Sequence, residues 1–142
     1  MKTRALRFGE HFSPECGTIA AHQEIIDKLG YVWYGKLGSP VNRKIIDEIL
    51  QNEDGRFLLI NSGKADRYWV HISDISKEIP TYEEFPAYYH EIAEKMKTWF
   101  KVTYFEPAEK GVMAKCFVAS SGSPLTEASK HSMSPYFIIN YE

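Results

Sequence analysis

The sequence predicts an α+β fold: a small, strongly bent β-barrel of about five or six strands, mixed but mostly antiparallel, with three or four peripheral helices. Runs rich in β-branched and aromatic residues recur along the chain. Helical stretches interrupt them irregularly instead of alternating with them one for one, which disfavours a doubly wound parallel sheet. A length of 142 residues with 44% hydrophobic content suits one core, hence a single domain over 1–142.

Residues 1–30 read as an N-terminal extension that ends in a short helix. Ile25, Ile26 and Leu29 recur at helical spacing within 20–29, and Gly30 stands where a C-terminal cap is wanted. Residues 31–36 are β-branched and aromatic, hence a strand, which Gly38-Ser39-Pro40 breaks. Asn42 opens a second helix, with Ile45, Ile46, Ile49 and Leu50 on one side and charged residues on the other. Asp54-Gly55 is a turn signal before a strand over 56–61. A further turn leads to 68–75, where Tyr68, Val70 and Ile72 alternate with Trp69, His71 and Ser73, and the two strands are expected to pair as a hairpin. Between Pro80 and Pro86 the chain is irregular. Residues 88–97 look helical through Tyr89, Ile92, Ala93 and Met96, and 99–105 is again a strand. Strand 112–119, a short polar helix over 126–131 and a last strand over 136–141 complete the reading.

Composition narrows the function. A net charge of −2 opposes strong, non-specific DNA binding, because a protein that neutralises many phosphates shows a basic excess. An aromatic content of 14% points the other way, since ring faces stack on bases. No apolar run is long enough to span a membrane, and a cytoplasmic location is expected. Cys16 and Cys116 are expected as reduced thiols.

Chemical motifs are few. Gly30 to Leu37 superficially fits a phosphate loop, yet Leu37 replaces the magnesium-binding hydroxyl and Tyr-Val-Trp-Tyr favours a packed strand. His11, Cys16 and His22 do not have an established zinc spacing, so no metal and no cofactor are expected. No nucleophile elbow occurs, His71 reads as a structural or surface histidine, and Glu83, Glu84, Glu91 and Glu94 read as a solvated face. The serine-rich segments 120–124 and 129–135 bring hydroxyls and backbone amides to strand ends, which suits an uncharged polar ligand or one phosphate.

The order of motifs resembles the EVE branch of the PUA-like barrels, which also include ASCH and YTH domains. Val32-Trp33-Tyr34-Gly35-Lys36 with its following Ser-Pro turn resembles the family's first aromatic strand, and Leu58-Leu59-Ile60-Asn61-Ser62 its second. Residues 69–75, 99–102 and 132–137 are similar to the third strand, the fourth and the serine-containing terminal element. The resemblance covers about 31–141. Leu37-Gly38 departs from it where the family usually carries an acidic residue, and the first 30 residues have no counterpart. It implies a binding module for nucleic acid or a modified nucleoside, with a base held in an aromatic-walled pocket. Trp33 and Trp99 would form the wall, Lys36, Ser39, Asn61 and Ser62 would read the base or its phosphate, and Ser132, Met133 and Ser134 would close the rim. Two alternatives stand beside it: a small nucleotide-directed hydrolase or transferase, and a protein-interaction adaptor such as a homodimer.

Overall fold

Strand β3 (Arg56–Asn61) pairs antiparallel with β4 (Arg67–Ser76), as the two alternating runs predict. In the computed structural model the described residues are 2–8, 17–37, 43–51, 55–61, 67–109, 111–119, 121–126 and 136–141. The remaining strands are β1 (Lys2–Phe8), β2 (Val32–Leu37), β5 (Met96–Pro107), β6 (Cys116–Val118) and β7 (Tyr136–Tyr141). All seven form one mixed sheet in the order β2-β5-β4-β3-β1-β7-β6, with β1 and β3 parallel and every other pair antiparallel. Helices α1 (Thr18–Leu29) and α2 (Arg43–Gln51) complete the α+β architecture.

Several expectations change. Residues 2–8 do not belong to a helical extension: β1 lies inside the sheet, between β3 and β7. Its lysine and two arginines conceal it in the sequence, yet Thr3, Arg4, Ala5 and Leu6 are all buried, and Arg4 donates to the Thr3 carbonyl at 3.1 Å. The described sheet is also open, since no ladder joins its outer strands β2 and β6. Register shifts in the β4–β5 ladder between His71 and Asp74, and in β2–β5 at Lys36/Leu37, supply its local bends.

The helix expected over 88–97 is a chain of 3₁₀ turns, Tyr82–Glu84, Ala87–Tyr89 and Ala93–Lys95, leading into β5. The helical spacing of Tyr89, Ala93 and Met96 is real and all three are buried, but Ile92 leaves the α region at φ −119. The strand expected over 112–119 shrinks to β6, because Gly111 at φ 86 starts a 3₁₀ turn over Val112–Lys115. Only two α-helices are present among the described residues, and residues 127–131 of the expected polar helix lie outside them. At Gly30 the expected cap is present, with φ 85 and its N–H on the Ile26 carbonyl at 2.7 Å.

The two faces of the sheet are used differently. One face carries Leu6, Val32, Tyr34, Phe57, Leu59, Val70, Ile72, Phe100, Val102 and Phe105, covered by Ile19, Ile25 and Ile26 of α1 and Ile46 and Ile49 of α2. On the opposite face two separate clusters form. Ala5, Leu58, Ile60, Trp69 and Ile139 pack under Val112, Cys116 and Leu125 at one end, and Trp33, Met96 and Trp99 pack with Phe85, Tyr89 and Ala93 at the other.

Candidate nucleic-acid interface

Trp33 and Trp99 come together because β2 and β5 are register neighbours, with Gly35 opposite Trp99 and Trp33 opposite Lys101. Gly35 lets the strand and the rings close up. A Cβ there would lie 2.1 Å from the Met96 sulfur, closer than real contacts come, and 3.1 Å from the Trp99 ring, tighter than most. Phe85 lies 4.9 Å from Trp99 and Tyr89 5.9 Å, in tilted and edge-on geometry. The Tyr89 hydroxyl accepts the Gly35 backbone N–H, so a tyrosine covers part of the outer strand. Trp99 is fully buried, and its indole Nε1 has no hydrogen-bond partner among the described residues. Trp33 retains 9% of its surface.

Beside the tryptophans a polar knot fixes the edge. Tyr31 donates its hydroxyl to Glu84, and Glu84 also accepts the Thr81 backbone N–H at 3.0 Å as part of a capping box. The tyrosine hydrogen bond holds the Glu84 carboxyl below its usual range and raises the Tyr31 phenol. The Lys101 ammonium sits 4.5 Å over the Tyr31 ring. Lys36, one residue past Gly35, is half-buried, and that burial lowers its ammonium pKa.

Behind this end, on the helix-covered face, His22 is sealed in a box of rings: Tyr34 at 5.2 Å, Tyr89 at 5.3 Å, Phe105 at 5.9 Å and Tyr88 at 6.4 Å. Its Nδ1 lies 2.7 Å from the Thr18 carbonyl and therefore carries the proton, which leaves Nε2 as a buried acceptor without a partner among the described residues. Burial pulls its pKa down to about 4, against the Thr18 hydrogen bond, which favours the charged form. A groove of about 590 Å³ runs over the outside of this region, between Ala21, Ile25 and Leu29 of α1 and Tyr82, Phe85 and Tyr88 of the 3₁₀ turns. Cys116 is buried, and burial lifts its thiol to about 11, which makes it a poor nucleophile at neutral pH.

The residues expected to form a pocket are thus only partly gathered. Trp33, Lys36 and Trp99 share the end of β2 and β5, but Lys36 alternates with Gly35 and so lies on the opposite side of the strand from Trp33. The backbone of Asn61 is at the other end of the strands. Its neighbour Ile60 pairs with Arg67, next to Tyr68 opposite Pro107, whereas Lys36 pairs with Thr98. Ser39, Ser62, Ser132, Met133 and Ser134 lie outside the described residues, as do His11 and Cys16. Tyr31, Glu84 and Tyr89 are residues that sequence reasoning missed. The clustering of Tyr82, Phe85, Tyr88 and Tyr89 on either side of Pro86 was their available signal.

The family model described as Pua-like matches residues 5–137. No curated protein and no solved structure matches the chain. No helix among the described residues is long and apolar enough to cross a membrane.

Proposed function

This chain belongs to the Pua-like family, and from that membership we propose that it is a nucleic-acid-binding module recognising one base, a modified one, at the tryptophan-bearing end of β2 and β5. Domains of this kind typically bind RNA or other nucleic acid. The observation that carries the reading is the preassembled aromatic end itself: Trp33 on β2 backed by Trp99 on β5, with Lys36 at the same end of β2 on the strand's other side. A base pocket needs a ring to stack on and a few fixed donors. Trp33, the more exposed indole, supplies the stacking face, and the fully buried Trp99 backs it. Lys36 supplies the charge for a phosphate. Ser39, Ser62 and residues 132–134 stand as the proposed rim, with Asn61 as a more distant contributor, in keeping with the resemblance to EVE domains.

The test is a titration of the chain with modified nucleosides and short oligonucleotides, read by tryptophan fluorescence. Binding is expected to quench the emission, and Lys36→Ala is expected to weaken oligonucleotides more than free nucleosides, with melting unchanged. Absence of quenching and of melting shifts across the whole panel overturns the proposal.

A further inference from the structure

Between the two covered clusters on the open face of the sheet lies a strip that belongs to neither core. Arg56, His71 and Tyr104 stand in one row across β3, β4 and β5, because Arg56 pairs with His71 and His71 pairs with Tyr104. The next row contains Trp69 and Glu106, which pair with each other, and diagonal contacts tie the two rows together. His71 Nε2 is 2.7 Å from Glu106 Oε1, the Arg56 guanidinium is 3.9 Å from the same oxygen, and Arg56 lies 4.5 Å over the Trp69 ring. On this fixed base Tyr104 stacks against His71, with centroids 5.4 Å apart and planes 22° from parallel. Tyr104 is nevertheless 52% exposed, one of the few large side chains here that stays outside every cluster.

The strip continues toward the tryptophans. Val102 and Phe105 both face the helices although they are three residues apart, because the β4–β5 register shifts between them. That bulge puts Tyr104 and Lys101 on the same side of the sheet as Trp33, the cross-strand partner of Lys101. Three residues of strand span about 10 Å, a reach that consecutive nucleotides of one strand can bridge. Cations stand on both sides of Tyr104, Lys101 toward β2 and Arg56 on β3. Three carboxylates stand near the strip: Glu84 accepts from Tyr31 and Thr81, Glu106 is held by His71 and Arg56, and the exposed Asp74, the cross-strand partner of Lys101, accepts the Ile75 N–H at 2.8 Å. Alternating ring faces and cations on a pinned surface fit a single-stranded nucleic acid, whose bases stack without sequence preference while phosphates meet the charges.

We infer that the strip Lys101-Tyr104-His71-Arg56 is a second binding site, a platform on which the nucleotide flanking the recognised base stacks on the outer face of Tyr104. This rests on the base-recognition reading above, and it assigns the flanking strand to the open face of the sheet instead of the groove beside α1.

The experiment measures anisotropy of fluorescein-labelled ten-nucleotide dT and U single strands, in parallel with tryptophan quenching by free nucleosides, for the wild-type chain and for Tyr104→Ala, Tyr104→Phe and Trp33→Ala. Tyr104→Ala is expected to weaken the single strands about tenfold, within the range for losing one stacked base, while Tyr104→Phe stays within about twofold. Nucleoside binding is expected to survive Tyr104→Ala unchanged and to be lost in Trp33→Ala. Equal affinity of Tyr104→Ala and wild type for both strands overturns the platform and leaves base recognition standing. Tyrosine-dependent binding of strands with no nucleoside response overturns base recognition and leaves the platform. A wild-type chain that binds neither probe overturns both.

Discussion

His22 and His71 both sit among aromatic rings, but their surroundings differ in a way that separates core from surface chemistry. His22 has rings on several sides, no exposure, one backbone hydrogen bond and a pKa held down to about 4. His71 has one ring stacked on it and a carboxylate at 2.7 Å, and the ring it supports faces solvent. Aromatic density is therefore a poor guide to a binding site. Whether a ring has a partner on both faces is the better one, and by that measure Tyr104 presents a surface, Trp33 a margin and Trp99 none.

The largest expected effect breaks the comparison on the buried side. Trp99→Ala is expected to cost about 3–5 kcal/mol in chemical denaturation, as for other large buried aromatics. Tyr104→Ala is expected to stay within about 0.5 kcal/mol of wild type, as an exposed substitution does. Similar losses for both would place Tyr104 in the core and remove the distinction.

The next effect is set by pH. His22 is neutral in the fold, with its pKa lowered from 6.5 to about 4, so between those values the unfolded chain binds the extra proton. Its contribution is fully present above pH 6.5 and is lost as pH falls toward 4, a total of about 3 kcal/mol at 1.36 kcal/mol per pKa unit. Urea midpoints measured from pH 7 to pH 4 should fall steeply for the wild type and less for His22→Phe, which keeps a ring and has nothing to titrate. Equal slopes would remove His22 from the explanation.

Much of the fold was legible in the sequence where local signals and tertiary packing agree. The β3–β4 hairpin follows from alternation, β7 from its aromatic and β-branched residues, and the end of α1 from Gly30. β1 was not legible because Lys2, Arg4 and Arg7 give it a polar reading, although β1 lies inside the sheet with Arg4 buried. Residues 88–97 read as a helix because 3₁₀ turns can bury residues at helical spacing without forming one. Within the site, Trp33 and Lys36 were visible as members of an aromatic strand, whereas the Arg56-His71-Tyr104 row depends on register across three strands and on a bulge, which the sequence does not encode locally.

Photocrosslinking tests the assignment of the open face most directly. A single strand carrying 5-iodouracil at successive positions, irradiated on the chain and mapped by peptide mass, is expected to attach to the segments holding Trp33 and Tyr104, at adjacent nucleotide positions. Attachment confined to α1 and α2, on the helix-covered face, would contradict it.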